Sequence, residues 1–481
     1  MLPFVRALSF AHVYDDHTTL VATPALREPL LTLLGHLLRG DGAFPDASRP
    51  WMVLSAVFDH ALLGASPMGT HLTSLVLYAL TVASVYGLSF AVLRSRAHAA
   101  VAALLWAVMP VHAELVVSAS YREDLFATLG VCTALAWMLW PSRYEHSWAR
   151  ALGIAGAWAL GLGGKESALV FVPLLFWLGP ALLQRDARGG LRWTEFWVRR
   201  ERSLTLLFLV FGVYAMWRYG LVLEGDGVPR REGWSSLHAL PRYAMWGLLE
   251  SLVPLRVQPF YADLGEAYAT FWLPFGLLTA LAFRVRERPI GKALGMLLLG
   301  ALLSSPLTSP VNERADRYLA FTTIGTAWLV SLGLMWLGQR RRWPVQSMAL
   351  VCASLLALRA ATLAPIWSSD LALFREATQH VPESAKAWEG LAWAERMEGD
   401  VPAAEAALMQ SLALDPRRPS ARVSLALMRL LRGDQAGARV LLERLRDEGL
   451  EDTHGFARAW QCASLLEASR ERVIDCAETG R

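Results

Sequence analysis

The chain has 481 residues, 54% of them hydrophobic and 18% charged, with 20 Trp. That composition suits a membrane-embedded domain with interfacial aromatics. The net charge of +4 resides largely in loops between apolar runs, so it reads as topology and not as a nucleic-acid footprint. The apolar runs lie, in chain order, at 68–93, 97–109, 124–140, 149–162, 167–183, 203–223, 268–283, 290–303, 318–338 and 345–364. Most approach the ~17–25 residues that cross a ~30 Å hydrocarbon core, and the shorter ones need flanking residues to finish the crossing. Residues 1–13 lack a small-residue cleavage site and are too short for a signal peptide. They read as the tail of a hydrophobic helix whose beginning is absent.

Lys and Arg cluster in alternate connections: Arg94 and Arg96, Arg143 and Arg150, Arg185 to Arg202, Arg284 to Lys292, and Arg340 to Arg342. Such loops stay cytoplasmic. The other connections then face out, and they hold Asp15-Asp16, His112 to Asp124, Gly164-Lys165-Glu166, residues 224–267, and Asn312 to Arg317. Residues 237–258 carry Arg242, Glu250 and Arg256 among Trp, Leu and Val. A full crossing there would put the basic loop 284–292 outside, so the segment is expected to be an interfacial or re-entrant helix.

The apolar pattern stops near Ala364-Pro365, which divides the chain into a membrane domain, 1–365, and a charged helical domain, 366–481. The latter repeats with a period of 34: Leu391 recurs as Leu425, Ala392 as Ala426, Gly399-Asp400 as Gly433-Asp434, Ala404 as Ala438, and Leu408 as Leu442. Trp388, Leu391, Ala392, Ala404, Leu408 and Pro416 fit the tetratricopeptide signature. The fold expected is all-α: a polytopic transmembrane bundle followed by αα-hairpin repeats.

The outward loops hold the candidate chemistry. Adjacent carboxylates at a membrane boundary, Asp15 and Asp16, suit a general base, and they also suit a helix cap. Glu114, Glu123 and Asp124 bracket a short loop as supporting acids, where acids at a helix start also satisfy its dipole. Lys165 interrupts one long apolar stretch, 149–183, and marks a tight hairpin at the interface, as a functional or a snorkelling cation. Arg314 and Arg317 stand one helical turn apart and suit an anionic group such as phosphate, or pair locally with Glu313 or Asp316. Acids at two outer loops and cations at two others describe a site for an anionic, lipid-linked donor. The cations stabilise the leaving phosphate and a carboxylate takes the acceptor proton. No Gly-rich phosphate loop or dinucleotide fingerprint is present, which disfavours a soluble nucleotide-sugar donor. No Cys/His spacing resembles a zinc site; the site residues include no metal ligand, although a divalent metal requirement stays open.

The order of these motifs resembles a family. Tyr14-Asp15-Asp16, Arg49-Pro50, Phe58 to Gly64, Pro67 to His71, Met109 to Glu114, Arg122-Glu123-Asp124-Leu125, Gly164-Lys165-Glu166, Glu313 to Leu319 and the repeats together resemble the transmembrane and tetratricopeptide-repeat O-mannosyltransferases of the GT-C superfamily. The resemblance implies a GT-C-like fold for residues 1–365, a polyprenyl-phosphate-linked sugar as co-substrate with no resident cofactor, and an Asp of the first outer loop as base. It also implies transfer of a mannose-like hexose to a protein Ser/Thr hydroxyl. The chain departs from the family in a missing first transmembrane helix, a short repeat array, and Arg122-Glu123-Asp124 where a Gly-Arg-Ala-Asp-like run is usual. The composition looks bacterial, which sets the protein in the inner membrane with site and repeats in the periplasm.

Two other readings compete. One keeps the enzyme class and changes the acceptor to a lipid or envelope glycan. The other is a non-catalytic membrane scaffold presenting the repeats, whose concave face suits a protein or envelope partner. Of four cysteines, Cys132 and Cys352 lie in apolar helices; Cys462 and Cys476, 14 apart, are candidates for a disulfide closing the terminal hairpin.

Overall fold

The computed structural model describes residues 2–39, 43–44, 49–64, 66–141, 146–179, 198–224, 233–254, 258–259, 261, 269–303, 314–453 and 455–468. Every regular element among them is helical. The chain forms two compact units: Met1–Val257 with Leu264–Ser368, and Gln258–Asp263 with Ser369–Arg481.

The first unit contains α1 (Leu30–Arg39), α2 (Pro50–Leu63), α3 (Pro67–Leu93), α4 (Arg96–Trp106), α5 (His112–Val117), α6 (Arg122–Leu139), α7 (Trp148–Gly164), α8 (Phe171–Leu178), α9 (Glu201–Glu224), α10 (Gly233–Leu252), α11 (Trp272–Arg284), α12 (Pro289–Leu303), α13 (Ala320–Arg341) and α14 (Val345–Leu363). Three stretches, Pro67–Leu93, Asp316–Arg341 and Val345–Trp367, are long and apolar enough to cross a bilayer. Their outward side chains are apolar too: Val76 and Leu80 of α3 are both 53% exposed, and Leu355 and Leu358 of α14 are 64% and 65% exposed. A water-facing helix does not present such a surface, whereas a lipid-facing one does.

Helix starts follow the sequence chemistry. Pro67 opens α3 and the Ser66 hydroxyl accepts from the Gly69 N–H at 3.2 Å, filling one of the unpaired first-turn donors. Helices then pack through small residues, as expected where lipid removes the hydrophobic drive between them. A Cβ at Gly130 of α6 would collide with the Gly161 backbone of α7, and one at Gly300 of α12 with the Thr322 backbone of α13. Polar side chains in the core find partners: the Trp106 indole donates to the Ala320 carbonyl at 3.0 Å and the Trp328 indole to the Ser89 hydroxyl at 2.7 Å.

Sequence boundaries shift in three places. The run at 97–109 gives a helix that stops at Trp106, before Pro110. The run at 167–183 begins as a tight 3-10 turn, Glu166–Val170, before α8. The segment 237–258, expected as an interfacial or re-entrant helix, forms most of α10, which begins earlier, at Gly233, runs on through Pro241 and ends at Leu252. Ala244 and Leu248 pack it against Leu297, Leu298 and Ala301 of α12. Its Arg242 is only 2% exposed, so this charge is turned into the protein.

The second unit contains α15 (Asp370–His380), α16 (Ala385–Met397), α17 (Val401–Leu414), α18 (Pro419–Leu431), α19 (Gln435–Asp447) and α20 (Phe456–Ala468). The 34-residue period appears as repeated geometry. Gly399 and Gly433 both take left-handed φ, 85° and 84°, after α16 and α18. Each is followed by a capping Asp: Asp400 accepts from Ala403 N at 3.0 Å and Asp434 from Gly437 N at 2.9 Å. The repeated small residues Ala392, Ala404, Ala426 and Ala438 are all buried, letting paired helices approach closely. Cys462 is disulfide-bonded; Cys476 lies outside the described residues, and so does Glu313.

Candidate active site

The adjacent acids of the first loop take different roles. Tyr14 holds a left-handed backbone, φ 51°, a strained conformation for an aromatic residue. Asp16 is fully buried. Its carboxylate accepts from Ser120 N at 2.7 Å, the Ser118 hydroxyl at 3.1 Å and Val13 N at 3.3 Å. Asp16 precedes a helical turn at His17–Val21 without capping it through its side chain; it pins the first loop to the α5–α6 connection. Asp15 is half-buried and accepts the Tyr121 hydroxyl at 2.9 Å. Burial, reinforced by Asp15 and opposed by Arg317, raises the Tyr121 phenol above its usual range, so it stays a donor.

Tyr121 leads to the other candidates. The Arg317 guanidinium lies 3.9 Å over the Tyr121 ring and 4.9 Å over that of Tyr318. Its Nη1 pairs with Glu114 Oε1, and its backbone N–H donates to Glu114 Oε2 at 3.1 Å. The local partners considered for Arg317 give way to an acid on α5, because the 3-10 turn Asp316–Leu319 ahead of α13 meets α5 in the bundle. Lys165, where α7 ends, lies 5.0 Å over the Tyr318 ring. Its ammonium meets Asp124 Oδ2 at 2.7 Å and Glu123 Oε1 at 2.9 Å. Burial opposes the charge, but these two carboxylates outweigh it and raise the lysine above its usual range. Lys165 is therefore an internal ion partner and does not snorkel. Glu123 also pairs with Arg49, which approaches Glu166 at 3.8 Å; Arg218 reaches the other oxygen of Glu166 at 3.9 Å.

Asp15, Asp16, Glu114, Glu123, Asp124, Lys165 and Arg317 thus join one contiguous network built from five chain segments. Arg314 stands 5.6 Å over the Trp246 ring of α10; it is not within the 3-10 turn Asp316–Leu319 that carries Arg317. Gly164 permits the network's closest backbone approach, since a Cβ there would meet the Glu123 carbonyl and the Phe126 side chain. Among the described residues, no group of three or more His, Cys, Asp and Glu is placed to hold a metal ion.

Two neighbours of the motifs are structural. The fully buried Arg122 pairs with Asp59 at 2.6 Å and donates to Ser74 at 2.9 Å and Ser55 at 3.2 Å, locking α6 to α2 and α3. His112 bridges the Tyr78 hydroxyl at 2.9 Å and the Thr323 hydroxyl at 3.0 Å. Burial lowers its pKa to about 3, so the ring is neutral.

Over 141 residues the chain is 30% identical to the Protein O-mannosyl-transferase Tmtc1 of Drosophila melanogaster, a match covering 28% of this chain and 16% of that relative. No protein-family model matches the chain. No solved structure matches it either.

Sequence reasoning passed over Tyr121 and Arg218 and gave Arg49 and Tyr318 no role beyond a motif. Tyr121 and Tyr318 each adjoin a charged residue already singled out. The signal was an aromatic beside a charge at a helix start, which is common enough to carry little weight without the third dimension.

Proposed function

We propose that the protein is a membrane glycosyltransferase of GT-C type, moving a mannose-like hexose from a polyprenyl-phosphate donor to a hydroxyl, with protein Ser/Thr as the acceptor. The observation that carries this reading is the Asp15–Tyr121–Arg317 arrangement. A half-buried carboxylate shares an aromatic ring with a guanidinium whose Nε is buried and has no acceptor among the described residues. A buried donor without an acceptor is costly and suits an anionic ligand oxygen.

In this reading the acceptor oxygen attacks the anomeric carbon and the carbon–oxygen bond to phosphate breaks. The hydroxyl proton passes to Asp15, and the phosphate leaves with the electron pair. Arg317, Lys165 and Arg314 stabilise the charge that grows on it. Tyr121 orients the Asp15 carboxylate, while Glu114, Glu123 and Asp124 fix the directions of the cations. The similarity to an O-mannosyl-transferase supports the sugar and the acceptor class. The paired helices of the second unit would present the protein acceptor or an envelope partner in the manner of tetratricopeptide repeats. The alternating basic loops support a bacterial inner-membrane location with site and repeats in the periplasm.

The test is transfer of labelled mannose from undecaprenyl- or dolichyl-phosphate mannose by the purified, full-length chain. Asp15→Asn should lower the rate by about 10²–10⁴-fold, the usual worth of a general base, with folding intact. Full activity in that variant removes Asp15 from the chemistry. Absence of transfer by the unmodified chain to peptide, lipid and glycan acceptors alike leaves the scaffold reading.

A further inference from the structure

The opposite end of the bundle carries a second feature with its own chemistry. Where α6 ends, each of the four carbonyls from Trp137 to Trp140 meets an arginine. Arg150 Nη2 donates to Trp137 and Trp140, Arg200 to Met138 at 3.2 Å, and Arg94 to Leu139 at 3.2 Å. Arg202 donates to the neighbouring His146 carbonyl, and Lys292 to Val92 of α3 at 3.3 Å. Cations at helix C-termini satisfy unpaired carbonyls and the dipole, but that duty uses only one guanidinium nitrogen of Arg94 and of Arg202, and one of the three N–H donors of Lys292. Among the described residues none of these three meets a carboxylate within 4.0 Å. Arg94 holds a left-handed backbone, φ 56°, at the position ending α3 where glycine is the unstrained choice. That conformation sets its guanidinium 5.6 Å over the Trp140 ring.

Beside these cations opens an apolar groove of ≈ 640 Å³, lined by Gly87 and Phe90 of α3, Trp137 and Trp140 at the end of α6, and Ala149 and Arg150 of α7; Arg202 adjoins it, 5.1 Å over the ring of Trp148 next to Ala149. Phe90 and Trp140 stack obliquely at 4.9 Å, and Trp137 and Trp140 stay 49% and 40% exposed. The groove's sides suit a hydrocarbon chain and its rim suits a phosphate: guanidinium forks recognise phosphate oxygens, and Trp belongs at the headgroup level. Basic pockets between helices at this level are where acidic headgroups bind.

We propose that this groove binds one acidic glycerophospholipid, with an acyl chain along Trp137 and Trp140 and the headgroup phosphate at the Arg94, Arg150 and Arg202 rim. The lipid braces the bundle end remote from the Asp15 network, so this site stands or falls independently of the glycosyltransferase reading. Arg150 has a structural duty at the α6 terminus, which leaves Arg94 and Arg202 as the cleaner probes. Gly87 offers a second probe. A Cβ there meets only Ala136, at 3.8 Å, so a larger side chain grows into the groove without a backbone collision.

The experiment is native mass spectrometry of the full-length, delipidated chain, titrated with phosphatidylglycerol and separately with phosphatidylcholine. The unmodified protein should retain one phosphatidylglycerol preferentially. Arg94→Gln/Arg202→Gln should weaken that site about tenfold, equivalent to losing ~1.4 kcal/mol, and leave phosphatidylcholine retention unchanged. Gly87→Leu should remove the preferential site altogether. If Gly87→Leu fails to fold, brominated phosphatidylglycerol serves instead. It should quench the unmodified protein more than Trp137→Phe/Trp140→Phe by the share due to those two rings. Equal retention of both lipids, or the same preferential site in both groove variants, overturns the proposal, as does equal quenching by brominated phosphatidylcholine.

Discussion

Replacing Lys165 by Met tests whether the network is a buried ion cluster or a solvated one. The lysine side chain is 6% exposed and faces two carboxylates, Asp124 at 2.7 Å and Glu123 at 2.9 Å, themselves 6% and 7% exposed. Methionine keeps the length and removes the charge. Glu123 retains Arg49, whereas Asp124 loses its cation inside the protein. Removing one partner of a buried pair costs about 3–5 kcal/mol, because the remaining charge stays desolvated. Asp124→Asn alone leaves Lys165 with Glu123, so only one charge-assisted bond is lost, about 1.5–3 kcal/mol. In Lys165→Met/Asp124→Asn no charge is stranded, and the total loss should be about 2–3 kcal/mol, smaller than that of Lys165→Met by itself. Mid-range values give a coupling energy of about 4 kcal/mol, just above the ~0.5–3 kcal/mol usual for contacting residues, as expected where one single variant strands a buried charge. The assay is SDS-titrated unfolding in mixed micelles followed by circular dichroism, run on all four proteins of the cycle. Strictly additive losses, or a Lys165→Met loss under about 1 kcal/mol, refute the argument. The same cycle separates structure from function: the double variant regains stability but lacks the ammonium, so its transfer activity should stay low.

Asp16→Asn should destabilise the protein by about 1–3 kcal/mol, since an amide can reproduce only part of the three-donor arrangement; thermal denaturation should show this loss, with Asp15→Asn close to the unmodified chain. His112 supplies the pH dependence. Its folded pKa of about 3 lies below the unfolded value of 6.5, so the unfolded chain binds the extra proton. Its contribution is therefore complete above about pH 6.5 and is lost as the pH falls towards 3. His112→Gln should flatten that part of the stability profile, read as the difference between the two proteins' unfolding midpoints.

The sequence shows element type and chemical class much better than it shows partnership. Apolar length and small-residue placement locate most helices within a few residues, and the 34-residue period predicts where Gly399 and Gly433 break them. What the sequence leaves out has one cause. Arg242 stands in an apolar stretch where a charge is costly to bury, and only the fold shows that α10 turns it inward. Arg317 looks paired with a near neighbour, yet its acid is Glu114, 203 positions away. In a helical bundle the loops at one end converge whatever their separation along the chain, and hydropathy carries no term for which loop meets which. Asp15 and Asp16 are indistinguishable by type and position. Only the three donors around Asp16 separate them.

That separation bears on how an anion could enter the network. Arg49, Lys165, Arg218 and Arg317, four cations, share the network with six carboxylates, Asp15, Asp16, Glu114, Glu123, Asp124 and Glu166. The formal balance is two negative charges, so a phosphate gains nothing from the net field. Attraction must come from fixed donors at short range, where geometry outweighs total charge. The acids then have a purpose beyond neutralisation. Glu114 holds two sides of Arg317, its Nη1 and its backbone N–H, and leaves Nε without an acceptor. A guanidinium held this way cannot swing to follow a departing phosphate, and its donor is in place before charge develops. The same logic assigns Tyr121 its place: it fixes Asp15 from one side and supports Arg317 with its ring face, so the proposed base and the proposed phosphate ligand keep a constant separation. Tyr121→Phe should preserve the ring and lose only the hydroxyl. It should lower the maximal transfer rate while leaving donor affinity near that of the unmodified chain, and an equal loss in donor affinity would show that the hydroxyl, and not the ring, positions Arg317.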